Sequence, residues 1–288
     1  MTPPDRLRAL LAEKRLLVMP CCFDPLSAKL IEQGGFPLTF MSGFAASAAR
    51  IGEPDLGLMS YAEVEAQARA IADAVSIPLI GDGDTGYGNA MNVRRTVRGF
   101  ARAGCAAVMI EDQKAPKRCG HTPGKEVVER EEAFDRIRAA ADAKASDDIL
   151  ILARTDARHE HGLAEAIDRA HRFHELGADI LFVEAPRTVE EMRTICAELP
   201  GPKMANIVEG GETPALSHAE LAEIGFSIAA YPLTLLAAAM QAMTRALGQL
   251  ASDAPRDGLM DFAELRGRIG FDDYYAESEK YRSSARAR

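Results

Sequence analysis

The chain has 288 residues, 47% hydrophobic and 27% charged, enough for a sizeable core and an ordinary polar surface in one large domain or two smaller ones. Its net charge of −9 argues against non-specific nucleic-acid binding and against an anionic membrane surface, and the lack of Trp leaves no aromatic platform for bases. No apolar stretch approaches the roughly 20 residues that span a bilayer.

The N-terminus, MTPPDRLRALLAEKR, is charged and lacks the apolar core and cleavage site of a signal peptide. Five cysteines, at 21, 22, 105, 119 and 196, are never spaced as CxxC. Thiols used in this way read as reduced, in a cytoplasmic protein, rather than as disulfides or a zinc site.

Short apolar runs predict strands at 16–20, 38–42, 78–82, 106–111, 148–154, 179–184, 203–207 and 226–231. Amphipathic or Ala-rich segments predict helices near 25–34, 61–75, 91–103, 130–146, 163–176, 188–198, 217–224 and 233–250. Strict alternation implies a parallel sheet, and eight β-then-α units imply closure into a (β/α)8 TIM barrel over residues 1–250. An open doubly wound sheet is the rival, but it gives no special reason for the number eight. After the turn-rich ASDAPRDG, residues 251–288 read as a C-terminal extension, with helical segments at 262–266 and 272–281 and a basic tail.

The strand ends carry the chemistry. In order they are Ser42 with Gly43, Asp82 with Asp84, Glu111 with Asp112, Arg154, Glu184, and Asn206 with Glu209. In a barrel these ends converge on one mouth, where barrel enzymes hold their catalytic groups. Asp82 and Asp84 share one side of an extended segment. With Glu111 from the next strand they form an all-oxygen set suited to Mg²⁺, with Mn²⁺ as the alternative, and Asp55 reaches the same ion through water.

Other readings of GDGDTG at 81–86 fail. Two aspartates would repel a dinucleotide's pyrophosphate. A calcium loop would need an acid at its twelfth position, where Val93 stands. His159 and His161 lack a third ligand nearby and read as surface, as do His171 and His174 on their helix. Arg154 suits a bidentate grip on a carboxylate, and Ser42 and Gly43 offer a hydroxyl and free N–H groups to an anionic oxygen.

The fourth strand runs into a loop dense in Lys114, Lys117, Arg118 and Lys125, with Cys119, Gly120 and His121 among them. A thiol among cations beside a histidine is placed for proton transfer near neutrality. The whole set suits a 2-oxo acid held as its enolate at a metal, under a basic lid that shuts out water.

These residues resemble a known family. KRCGH at 117–121, GDGDTGYGN at 81–89, IEDQ at 110–113, ARTDA at 153–157, FVEAP at 182–186 and NIVEGGETP at 206–214 are similar to signatures of the isocitrate lyase/phosphoenolpyruvate mutase superfamily. The likeness runs from about residue 5 to 283. It implies a barrel whose last helix is swapped between subunits, within a homotetramer, and Mg²⁺ at the mouth. It also implies Asp82 as the direct metal ligand, with Asp55, Asp84 and Glu111 acting through waters. Cys119 would be the general acid/base, with Lys117 and His121 beside it. Ser42, Gly43, Phe44, Arg154 and Glu184 would hold a pyruvate half, and Arg118, Gly120, His121, Asn206 and Glu209 would face the other product.

A cysteine in this loop resembles the carbon–carbon lyases rather than the phosphonate mutases or oxaloacetate decarboxylases. The VEGG run is similar to the 2,3-dimethylmalate and petal-death 2-alkylmalate lyases, where 2-methylisocitrate lyases carry a TEFG-like run. Phe40 stands where a tyrosine is common, removing one hydroxyl from the carboxylate site. The implied reaction is cleavage of a 2-hydroxy diacid to pyruvate and a smaller carboxylate. Oxaloacetate hydrolysis, phosphonate isomerisation and a non-catalytic metabolite-binding barrel are its competitors.

Overall fold

A computed structural model describes residues 1–118 and 124–282. Two compact units divide at Ala237/Ala238. The first begins with α1 (Pro3–Ala12) and β1 (Leu17–Cys22), followed by α2 (Pro25–Gln33), β2 (Thr39–Met41), α3 (Gly43–Ile51) and α4 (Tyr61–Ala72). Then come β3 (Leu79–Asp82), α5 (Ala90–Arg102), β4 (Ala107–Glu111), α6 (Arg130–Lys144), β5 (Leu150–Thr155), α7 (Ala157–His161) and α8 (Leu163–Glu175). The barrel ends with β6 (Ile180–Val183), α9 (Val189–Glu198), β7 (Met204–Asn206), α10 (His218–Ile224) and β8 (Ile228–Tyr231), after which α11 (Thr234–Ala251) begins.

The eight strands pair in parallel in the order β6-β5-β4-β3-β2-β1-β8-β7. A bridge between Leu181 and Lys203 joins the two end strands, so the sheet is a nearly closed barrel with helices around it, the (β/α)8 architecture expected from the alternation. All eight predicted strands are found, each within two residues at either end. The helices α1, α3 and α7 were not anticipated. α3 follows its strand directly: Ser42 caps it, accepting from the Ala45 N–H at 3.3 Å, and Gly52 ends it with φ 71°.

Strand side chains alternate between two layers. One set, Leu17, Met19 and Cys21, Phe40, Ile80, Met109, Leu150 and Leu152, Ile180 and Phe182, Met204, Ile228 and Ala230, packs as one buried cluster inside the barrel. The other set packs against the helices. Leu7 of α1 is 0% exposed and belongs to the interior cluster, so α1 plugs the end of the barrel at which the strands begin.

The second unit contains α12 (Phe262–Ile269) and α13 (Phe271–Glu279), joined at Gly270 with φ 101°. Neither helix has a buried residue. The four described cysteines are unpaired. Among the described residues no helix is long and apolar enough to cross a membrane.

Leu7→Ala removes the plug's fully buried side chain. Urea denaturation is expected to show a loss of about 2–5 kcal/mol, the scale for a buried leucine, with the unfolding slope unchanged.

Candidate active site

The interior stripe changes character at the C-terminal end of the strands. Moving two residues along each strand turns Ile80 into Asp82, Met109 into Glu111, Leu152 into Arg154, Phe182 into Glu184 and Met204 into Asn206. All five polar residues line one cavity, with Ser42, Gly43, Phe44, Asp55, Lys117 and Arg118. The cavity encloses about 60 Å³, room for a small carboxylate.

Lys117 is the hub of the acidic side. Its Nζ stands 2.8 Å from Asp55 Oδ2 and 2.5 Å from Asp84 Oδ1, with a side chain only 7% exposed. Burial pulls this ammonium down, but Asp84, Asp82, Asp55 and Glu111 together hold it well above its ordinary value. Burial likewise pushes the Asp84 carboxyl up to about 6, although Lys117 opposes it. Asp82 Oδ2 accepts the Gly43 N–H at 3.1 Å and its Oδ1 accepts the Asp84 N–H at 3.0 Å. Gly43 therefore spends its N–H on Asp82, not on an incoming anion.

Glu111 is 2% exposed, and burial raises its pKa well above the carboxylate range. Its Oε2 lies 3.4 Å from Arg154 Nε, while Oε1 is buried with no hydrogen-bond partner. Among the described residues no three His, Cys, Asp or Glu side chains close on a common point, because Lys117 spans Asp55 and Asp84. The donor set still fits a hard divalent cation: it is all carboxylate oxygen, it is buried, and one oxygen has no partner. Ions of this kind keep several waters and need few direct ligands.

Arg154 is held along one edge. Nε donates to Asp156 Oδ2 at 2.8 Å and Nη2 to Asp156 Oδ1 at 3.0 Å, with Glu184 Oε2 at 3.1 Å from Nη2. Nη1 makes no bond among the described residues, so one face of the fork is left for a ligand. The guanidinium also lies over the Phe182 ring, 5.3 Å from its centre. Glu184 in turn accepts from Asn206 Nδ2 at 3.3 Å and from the Ala185 N–H at 2.8 Å.

Behind this edge stands a second layer of paired charges. Asp112 accepts from Thr155 Oγ1 at 2.7 Å, the Asp156 N–H at 2.8 Å and Arg169 Nη1 at 3.0 Å, which locks β4 to β5. Lys125 Nζ, nearly fully buried, lies 3.3 Å from Asp156 Oδ1. Asp156 had a signal in the sequence, two residues beyond Arg154 on the same side of an extended chain. Lys125 stood out only as one of the loop's cations, and Arg169 had no signal.

The base of the loop is fixed. Gln113 accepts the Arg118 N–H at 2.9 Å and donates to the Arg118 carbonyl at 3.0 Å, and an antiparallel bridge joins Gln113 to Val127. Cys119, Gly120 and His121 lie outside the described residues. Glu209 stands apart from the other expected residues. A turn closed by the Gly211 N–H on the Val208 carbonyl carries it outward, where it accepts from Thr234 Oγ1 at 2.5 Å. His161, His171 and His174 are exposed, as expected.

Comparison with known proteins gives a consistent set. A family model described as phosphoenolpyruvate phosphomutase matches residues 7–251. The chain is 42% identical to 2,3-dimethylmalate lyase of Eubacterium barkeri over 94% of this chain and 96% of that one. It is 38% identical to 2-methylisocitrate lyase of Halalkalibacterium halodurans over 94% and 91%. The solved structure of oxaloacetate acetylhydrolase with the inhibitor 3,3-difluorooxalacetate superposes with a TM-score of 0.92 at 34% identity, covering 98% of each chain.

A β-carbon at Gly43 would stand 2.4 Å from Asp82 Oδ2, so Gly43→Ala must displace that carboxylate. The rise in melting temperature on adding Mg²⁺ is expected to shrink in this variant while the far-UV circular dichroism is unchanged. An undiminished Mg²⁺ response would detach Asp82 from the cation.

Proposed function

The chain belongs to the phosphoenolpyruvate mutase/isocitrate lyase superfamily, and from that premise we propose that it is a carbon–carbon lyase. Its substrate is a 2-hydroxy dicarboxylate or tricarboxylate of the 2,3-dimethylmalate, 2-alkylmalate or 2-methylisocitrate type, cleaved to pyruvate and a smaller carboxylate. The observation that carries this reading is the half-committed Arg154, which faces buried carboxylates in a cavity of small-molecule size.

Asp82 directly, and Asp55, Asp84 and Glu111 through waters, would hold Mg²⁺ or Mn²⁺. When bound, the cation supplies positive charge beside the oxygen that becomes negative in the transition state. Arg154 grips the carboxylate next to the hydroxyl-bearing carbon through Nη1. Ser42, Gly43, Phe44 and Glu184 close that end of the cavity. Cleavage breaks the bond between the hydroxyl-bearing carbon and its neighbour. The hydroxyl passes its proton to a carboxylate of the mouth such as Glu111, which burial makes basic, as C–O becomes C=O, and the carboxylate-stabilised carbon left behind takes the Cys119 proton. Lys117 and His121 favour the thiolate that results. Arg118, Gly120 and Asn206 face the second product, whereas Glu209, turned outward onto Thr234, takes no part in this arrangement.

A second reading is oxaloacetate hydrolysis to oxalate and acetate, favoured by the close superposition on a protein bound to a difluorinated oxaloacetate. Residence in the cytoplasm and a homotetramer of helix-swapped dimers complete the proposal. The exposed Leu247, Phe262 and Tyr274 of the second unit support the latter.

Purified protein with Mg²⁺ is expected to release pyruvate from at least one 2-alkylmalate or 2-methylisocitrate in a substrate panel. Oxalate and acetate from oxaloacetate would select the hydrolase instead, and inertness towards the whole panel would sink both. Cys119→Ala is expected to lower kcat by about 10²–10⁴, the range for a positioned proton donor, with the fold intact by circular dichroism. Phosphonopyruvate turnover that survives in this variant would point to a phosphonate isomerase.

A further inference from the structure

Away from the mouth, α4 and α5 border a groove of about 660 Å³ that shares no lining residue with the cavity above. Five arginines converge there, Arg69 from α4 and Arg94, Arg95, Arg98 and Arg102 from α5. The α5 residues fall at i, i+1, i+4 and i+8, so three of them (Arg94, Arg98 and Arg102) repeat on one row of the helix. Like charges four apart destabilise a helix.

Only part of this charge is matched. Arg69 pairs with Glu65, while Arg98 and Arg102 share Asp147 at 3.5 and 3.9 Å. Arg94 and Arg95 have no carboxylate partner among the described residues. The Nε of Arg94 is also buried without a hydrogen-bond partner. An unpaired buried donor of this kind calls for an acceptor.

The groove has a built floor. Arg95 lies over the Tyr61 ring, 4.4 Å from its centre, so that face of the ring is taken and cannot stack on a nucleobase. A methyl at Gly99 would overlap the Tyr61 hydroxyl, so this glycine is what lets Tyr61 lie across α5. Glycine inside a helix is itself unfavourable relative to alanine. On a chain of net charge −9, a face with five cations against Glu65 and Asp147 stands out from the surface average.

We propose that this groove is a second, non-catalytic site that binds a compact, multiply charged oxyanion between Arg94, Arg95 and Arg98. Guanidinium forks recognise phosphate and carboxylate oxygens with the same bidentate geometry. A phosphate ester and a polycarboxylate are therefore the two sources of the same ligand chemistry.

The test is calorimetric titration of the metal-free full-length protein with inorganic pyrophosphate and, separately, with tricarballylate, at constant ionic strength. Saturable binding of one anion per chain is expected. Arg94→Gln and Arg95→Gln are each expected to weaken it about tenfold, the scale of one charge-assisted hydrogen bond, while Arg154→Gln at the mouth leaves it unchanged. Tighter pyrophosphate assigns a phosphate ligand, and tighter tricarballylate a polycarboxylate. If Arg95→Gln fails to fold for want of its contact with Tyr61, Arg94→Gln carries the test alone. No saturable binding, affinity untouched by these variants, or affinity lost only with Arg154→Gln would overturn the proposal.

Discussion

In a nearly closed barrel each strand must send alternate side chains into a space that water does not freely enter, and only groups that pack or pair are tolerated there. The lower part of this interior is filled by apolar side chains, with Leu7 of α1 closing the bottom. At the last inward position of five successive strands, β3 to β7, that rule is broken by Asp82, Glu111, Arg154, Glu184 and Asn206. Each of them is affordable only because the others are present, so the site is a single electrostatic unit rather than a set of independent residues.

That unit is short of positive charge. Among the described residues, Asp55, Asp82, Asp84, Glu111, Asp156 and Glu184 stand against Lys117, Lys125, Arg154 and the cavity-lining Arg118. Six carboxylates against four cations, with burial foremost, explain why Asp84 and Glu111 are driven upward in pKa, and why Glu111 Oε1 is left with nothing to accept from. A divalent ion would relieve both at once. The same imbalance holds Lys117 and Arg154 firmly in their charged forms, leaving them as fixed electrostatic groups rather than proton donors.

Rigidity behind the mouth is what makes the arrangement usable. Asp112 ties β4 to β5 and to Arg169 of α8, and so fixes the Asp156 backbone that aims Arg154. The loop base is pinned in the same way by Gln113 and Arg136, whose Nη1 donates to the Glu111 and Gln113 carbonyls at 3.1 and 2.8 Å. A carboxylate grip of this kind depends on placement to a fraction of an ångström, which a surface loop alone does not provide.

The sequence by itself determined the barrel and most of its mouth. Period-two alternation and strand–helix order are local properties, and a charge ending an apolar run marks a strand's C-terminal end wherever the strand finally lies. α3 and α7 escaped notice because each begins directly at the end of its strand with no loop to mark it. Which carboxylate faces Lys117, which edge of Arg154 is committed to Asp156, and why Glu209 turns away while Asn206 stays were decided only by the tertiary structure. So was the convergence of Arg69 with four arginines of α5, since each depends on distances between segments far apart in the chain, which no local pattern encodes.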